Sequence, residues 1–271
     1  MYKNPIVQKN IAALAALGCV FTEPDEGMLA CGTVGKGRLA EIDRIIDDVE
    51  LAAYKRKDLT GKKVLVTAGP TVEAIDPVRF ISNHSSGKMG YAVAKAAKLR
   101  GADVCLVSGP VNIRPFGGVC VESVTSARQM YDKAVFYAKD ADIIVKAAAV
   151  ADYRPKNTAE NKIKKGENLE IELEQNPDIL KKIGENKGDT VLAGFCMETQ
   201  NLIENARKKL ASKNLDIIVA NDLSKEGAGF KGNTNIVTII DKYGNQKPLD
   251  IMEKEEIAHI ILDECIKISK R

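Results

Sequence analysis

Residues 62–71, KKVLVTAGPT, decide the fold class: the β-branched and apolar run Val64-Leu65-Val66-Thr67 passes directly into Ala68-Gly69-Pro70-Thr71. Such a run, bounded by glycine and proline, reads as a central strand ending in a loop. Four similar runs follow: Asp103-Val104-Cys105-Leu106-Val107, Asp142-Ile143-Ile144-Val145, Thr190-Val191-Leu192-Ala193 and Asp216-Ile217-Ile218-Val219. Helical patterns over about 88–100, 127–139, 178–185 and 201–213 separate them. Strand–helix alternation implies right-handed crossovers. The expected class is therefore α/β, a Rossmann-like, mostly parallel sheet with flanking helices.

Working outward, Asn235-Ile236-Val237-Thr238-Ile239-Ile240 and the turn Tyr243-Gly244-Asn245 predict an added C-terminal hairpin, followed by a helix over roughly 251–268. The first 57 residues read as an appendage, with a helix ending at Gly18, a Gly-rich loop over 27–37 and a long helix over about 39–57. Asp58-Leu59-Thr60-Gly61 punctuates the join, giving expected units of 1–57 and 58–271.

Composition excludes several classes. Forty Lys and Arg against 37 Asp and Glu leave a net charge of +3, spread along the chain and not gathered into the basic stripe of a nucleic-acid binder. No segment approaches the ~20 consecutive apolar residues of a membrane span, and residues 1–10 hold no apolar signal region, so a soluble, cytoplasmic protein is expected. The six cysteines show no CxxC pair, which points to reduced thiols and away from a zinc site or disulfide framework. His84 and His259 have no ligand-spaced partner.

The chemistry-bearing segments fall at strand ends. After the first strand, Ser82-Asn83-His84-Ser85-Ser86-Gly87-Lys88-Met89-Gly90 runs into a predicted helix start. Small residues there let an anion approach backbone N–H groups at the positive helix end, and Ser85 and Ser86 add hydroxyl donors. A plain N-cap would use the same residue types. Ala147-Ala148-Ala149-Val150-Ala151-Asp152 ends the third strand, small enough to take a flat ring or ribose against the backbone, although a tightly packed strand with Asp152 in a turn reads equally well. Lys162-Ile163-Lys164-Lys165 is either a solvated face or a basic loop able to neutralise a triphosphate. Asn176-Pro177-Asp178-Ile179 opens a helix, and Gly194-Phe195-Cys196-Met197-Glu198-Thr199 ends a strand. Lys209 and Lys213, four apart, share one helical face.

In this order, SNHSSGKMG, AAAVADYRP, KIKK, NPDI, GF-x-x-ET and KNLD-x-I-x-AND closely resemble the phosphopantothenate–cysteine ligase family over about residues 62–240. The resemblance implies a two-step reaction in coenzyme A biosynthesis. The 4′-phosphopantothenate carboxylate attacks the α-phosphate of CTP, with Mg2+ present, giving an acyl-cytidylate and pyrophosphate; the L-cysteine amine then displaces CMP. It implies nucleotide contacts at Ala147, Ala148, Asp152, Lys162, Asn176, Pro177, Asp178, Ile179, Phe195, Lys209 and Lys213, with Asn83 holding the acyl-cytidylate; with the residue reading that places Ser85, Ser86 and Gly87 at phosphate, Asn83 and Lys162 are the expected catalytic residues. It names no metal ligands. It also implies a homodimer, for which the added hairpin offers an interface.

Asn4-Pro5, Asn10 and Leu29-Ala30-Cys31-Gly32 through Gly37-Arg38-Leu39 resemble the final part of the flavin-dependent phosphopantothenoylcysteine decarboxylases, in which the position of Cys31 is the proton donor. The flavin-binding sheet and catalytic histidine region of that family have no counterpart in 1–57, so an orphaned Cys31 and no bound FMN are expected. Two other classes fit the alternation alone: a nicotinamide-dependent oxidoreductase, which the missing GxGxxG and the basic loop oppose, and a non-catalytic assembly or nucleotide-sensing module.

Overall fold

A computed structural model describes residues 1–166, 170–198, 201–222 and 232–270, divided into two units, Met1–Lys57 and Asp58–Arg271. In the first unit, helix α1 (Pro5–Ala16) is capped by the Asn4 side chain, which accepts from Ile6 N at 2.9 Å. Strands β1 (Asp25–Met28) and β2 (Val34–Arg38) then pair antiparallel before α2 (Ile42–Ala53). The Gly-rich stretch expected as a loop is thus a hairpin: Gly27 pairs with Gly35, and the Leu29 N–H donates to Thr33 O to close the turn. Helix α2 is shorter than the 39–57 expected because Glu41 before it and Tyr54 after it have extended ψ values of 134° and 108°.

The second unit runs β3 (Lys63–Ala68), β4 (Val72–Ala74), β5 (Phe80–Ser82), α3 (Lys88–Leu99), β6 (Asp103–Ser108), β7 (Cys120–Ser123), α4 (Ala127–Ala138), β8 (Ile143–Lys146), β9 (Tyr153–Pro155), β10 (Leu173–Gln175), α5 (Ile179–Asn186), β11 (Val191–Glu198), α6 (Leu202–Ser212), β12 (Ile217–Asp222), β13 (Thr234–Asp241), β14 (Gln246–Glu253) and α7 (Lys254–Ser269). The main sheet has the order β7-β6-β3-β8-β11-β12-β13-β14, parallel through β12 and antiparallel for the last two strands. From β3 the chain winds outward to β6 and β7, then returns to the other side of β3 for β8. Strand order reverses there, and a crevice opens beyond the carboxyl ends of β3 and β8.

Each central strand feeds two cores because successive side chains alternate between faces. Val64, Val66, Ile143, Val145, Ile217 and Val219 pack with α3 and α7, whereas Leu65, Ile144, Leu192 and Ile218 pack with residues of α4, α5 and α6. Helix α3 approaches β3 closely at Gly90, where a Cβ would lie 2.5 Å from Ala68 Cβ, so any larger residue would push α3 off β3. The C-terminal hairpin forms as expected. The last helix begins at Lys254 and not near 251, because residues 246–253 are committed to β14 by pairing with β13. Two small hairpins went unread in the sequence: β4 with β5, and β9 with β10, which brackets the basic loop.

Arg100, at the carboxyl end of α3, is fully buried. Its guanidinium donates to both carboxylate oxygens of Asp58 at 2.8 and 2.7 Å, to His259 O at 3.1 Å, and pairs with Asp263 at 2.8 Å. One planar fork thereby ties the start of the unit, α3 and α7 together. Arg100→Ala is expected to cost about 3–5 kcal/mol, as for other broken buried ion pairs; urea unfolding checks it, with Asp263→Asn expected to cost less because Asp263 remains partly solvated.

Candidate active site

The loops leaving β3 and β8 are stitched together at the crevice. Pro70 and Ala149 form a parallel bridge, Ala149 N donates to Gly69 O at 2.9 Å, and Thr71 N donates to Ala149 O at 3.2 Å. Two buried hydroxyls extend the seam: Thr67 Oγ1 accepts from Ala148 N at 3.3 Å and Thr71 Oγ1 from Ala151 N at 3.0 Å. Asn83 reaches the same seam, its Nδ2 donating to Ala149 O at 3.2 Å. Asn83, Ala147 and Ala148 are therefore brought to one place.

On the α3 side, Gly87 is the N-cap with φ +78° and no side-chain cap. The Ser85 hydroxyl accepts from Gly87 N at 3.3 Å, ahead of the helix. Gly87 is obligatory on two grounds. Its φ is left-handed, and an added Cβ would meet Val111 Cγ1 at 2.8 Å.

On the α5–α6 side lies a cavity of about 540 Å³, whose polar lining includes Lys146, Asp152, Asn176, Asp178, Lys209 and Lys213. Asn176 is held by three contacts: its Nδ2 donates to Ala151 O at 2.9 Å, its backbone N to Asp152 O at 2.8 Å, and Arg154 Nη1 donates to its Oδ1 at 2.9 Å. Pro177 follows in the wall, and Asp178 caps α5 by accepting from Lys181 N at 2.9 Å while pairing with Lys213 Nζ at 2.5 Å. Burial opposes ionisation of Asp178, but Lys213 and the helix N–H outweigh it and hold the carboxyl below the usual range. Lys209 Nζ donates to Phe195 O at 3.0 Å.

Three expected contacts are placed differently from the rest. The Ile179 side chain is in the core, leaving only its backbone for a ligand. The Phe195 ring packs with the α3–α7 core, so its carbonyl alone is turned to Lys209. Lys162 does not line this cavity; with Arg79, Lys164 and Lys165 it lines another of about 490 Å³. That loop is anchored by Asp76, which pairs with Arg79 and accepts from Ile163 N at 3.1 Å, while Arg79 donates to Ile163 O at 2.7 Å. Burial raises the Asp76 pKa, but Arg79 and three backbone N–H groups carry it well below the carboxylate range. Thr199 lies outside the described residues.

Sequence reading missed Lys146, the last residue of β8. Burial, aided by Lys209, pushes its pKa down to about 8 against the pull of Asp178 and Asp152. A lysine continuing Ile143-Ile144-Val145 at a strand end was the available signal. In the first unit, Cys31 is exposed at the β1–β2 turn, and a 3.2 Å contact with Thr33 Oγ1 lowers its thiol pKa.

Comparison with known proteins shows the family and the fold. The family model described as the DNA/pantothenate metabolism flavoprotein C-terminal domain matches residues 59–268, and a flavoprotein model matches residues 1–52. The chain is 48% identical to the coenzyme A biosynthesis bifunctional protein CoaBC of Bacillus subtilis, over all of this chain and 68% of that protein. It is 42% identical to a cysteine/cysteine sulfinic acid decarboxylase of an unknown prokaryotic organism, over 99% of this chain and 77% of that protein. A crystal structure of the C-terminal domain of coenzyme A biosynthesis bifunctional protein CoaBC matches with a TM-score of 0.69 and 43% identity, covering 79% of this chain and 100% of that one.

The chain belongs to the DNA/pantothenate metabolism flavoprotein family. This is the family that its ligase motifs resemble, and the solved family domain shares its Rossmann-like fold. Among the described residues of this family member, no cluster of three or more His, Cys, Asp or Glu could hold a metal ion, and no helix is long and apolar enough to cross a membrane. Among the described residues, no disulfide joins its six cysteines.

Asp178 carries two separable duties, helix cap and partner of Lys213. Asp178→Ala is expected to lose about 1 kcal/mol more stability than Asp178→Asn, which keeps a capping oxygen. Because the folded pKa is lowered, the ion-pair contribution is present above the ordinary aspartate value of 3.8 and lost as pH falls through the folded value. The stability gap between the native chain and Asp178→Asn, followed by urea unfolding, should therefore close on acidification.

Proposed function

We propose that the Asp58–Arg271 unit joins 4′-phosphopantothenate to L-cysteine in coenzyme A biosynthesis, with CTP activating the carboxylate. The carrying observation is the crevice at the strand-order reversal, flanked by the uncapped amino end of α3 and by the cation-lined cavity against α5 and α6. Family membership supplies the reaction class, a carbon–nitrogen ligase. The chain spans about two thirds of its coenzyme A biosynthesis relatives, 68% and 66% in two of them.

A carboxylate is a poor acyl donor because oxide would have to leave. In the first step a carboxylate oxygen bonds to the α-phosphorus, the bond to the bridging α–β oxygen breaks, and pyrophosphate departs with that electron pair. Lys162 on its anchored loop and the first-turn N–H groups of α3 are suited to the charge that develops on the phosphates. In the second step the cysteine amine attacks the acyl carbon, loses a proton, and CMP leaves. The Asn83 amide, fixed beside Ala149, is placed to orient the activated carbonyl. Asp152, the Asn176–Asp178 turn, Lys209 and Lys213 take the nucleoside end.

The described residues offer no three-ligand metal cage, so Mg2+ would be carried mainly by the triphosphate. The exposed Ile251 in β14 and Tyr243 in its turn support the hairpin as a homodimer contact. The decarboxylase named among the relatives favours no second activity for this chain, because exposed Cys31 sits in a small two-stranded hairpin that is no flavin fold.

Purified chain given CTP, Mg2+, phosphopantothenate and cysteine should release pyrophosphate and CMP and form the amide, with lower turnover on ATP; absence of amide overturns the reading. Asn83→Ala should slow amide formation about 10²-fold or more, as loss of an oriented donor at a charge-developing centre does, with little change in CTP affinity. Lys162→Ala should instead suppress the pyrophosphate burst. Normal turnover in Asn83→Ala removes its assigned role.

A further inference from the structure

Lys146 is held where a lysine is costly. It follows Ile144 in strand alternation, which carries its side chain to the α5–α6 face, and it pairs in register with Thr67 and Gly194 in the two neighbouring strands. Its Nζ donates to Ala148 O at 2.8 Å, and among the described residues it makes no ion pair. Lys213 in the same cavity is balanced by Asp178. Lys146 is not, although Asp152 and Asp178 face it more distantly, and Lys209 adds repulsion. An ammonium has three donors and no acceptor, so the hydrogens not given to Ala148 are available to a ligand in the cavity. An unpaired lysine held in a cleft, with its ionisation opposed by burial, is a functional-site candidate.

The position decides which part of a nucleotide it meets. The uncapped amino end of α3, which suits phosphate, belongs to the α3–α7 side of the sheet, whereas Lys146 opens on the other face. A nucleotide with its phosphates at α3 that spans the stitched loops directs its base toward Lys146. Cytosine presents two adjacent acceptors, O2 and N3. Uracil replaces one of them with an N–H donor, which a cation repels, and the Watson–Crick edge of adenine has one acceptor, N1, beside a C–H.

We propose that Lys146 reads the O2–N3 acceptor edge of cytosine and is the residue that favours a cytidine triphosphate over its uridine and adenosine counterparts. This rests on the cavity being the nucleoside site. A hydrogen bond from a charged donor contributes on the order of 1.5–3 kcal/mol, about tenfold or more in affinity.

Binding of CTP, UTP and ATP to the full chain by calorimetry, without phosphopantothenate, tests this. Lys146→Met should weaken CTP about tenfold while UTP and ATP change less than about threefold, and Lys146→Arg should retain part of the preference. Thermal unfolding without nucleotide verifies that both variants are folded. CTP affinity of the native chain should also fall from pH 7 to 9 as Lys146 deprotonates, and Lys146→Met should lack that component; Lys208, Lys209, Lys213, Asp152, Asp178 and Tyr153 face the same cavity and are common to both. Equal weakening of all three nucleotides, or an unchanged preference in Lys146→Met, overturns the proposal. Lys213→Ala separates the two levels. If it weakens CTP while Lys146→Met does not, only this assignment fails; if neither variant changes CTP binding, the cavity is not the nucleoside site and the proposal fails with it.

Discussion

The seam between the loops after β3 and β8 is the constraint on which the site depends. Parallel strands diverge at a strand-order reversal, and the backbone groups beyond their ends need new partners. Here Gly69, Pro70 and Thr71 supply them to Ala147–Ala151, with the buried Thr67 and Thr71 hydroxyls taking two N–H groups that would otherwise be unsatisfied. Fixing that seam fixes the Asn83 amide on one side and the start of the Asp152 turn on the other. A one-ångström loosening would misplace both ends of a substrate bridging it, which is where catalysis by positioning is most sensitive.

Charge is distributed around this seam in a graded way. Asp76 organises the basic loop from beneath, with Arg79 and backbone N–H groups keeping its buried carboxylate ionised. Asp178 pairs with Lys213 and also caps α5, so the cavity wall and the helix start share one carboxylate. Asp216 accepts from Lys187, Lys242 and the Leu192 N–H, tying β11 to the start of β12. These carboxylates are spent on architecture, and Lys146 is left facing the cavity without one.

Much of this was legible in the sequence. Five apolar runs gave the central strands, because a strand buried on both faces cannot hide its composition. The small residues before α3 were read as room for an anion, and the order of the family motifs gave the ligase reading. The hairpins β4–β5 and β9–β10 were not legible, since three-residue strands carry too few residues for a period to show. The β1–β2 pairing was hidden by glycines, which contribute no apolar pattern.

By itself the sequence determined the fold class, the places where chemistry is possible and the family, because strand composition and local motifs are properties of neighbouring residues. Only the tertiary structure decided which of those residues meet. It set Lys162 with Arg79 in a cavity separate from Asp178 and Lys213, turned the Phe195 ring away from Lys209, and exposed Lys146 as a cavity lysine. The physical reason is that facing is fixed by strand register and by which loops are stitched across the crevice. Both depend on contacts between residues dozens of positions apart, which no local pattern encodes.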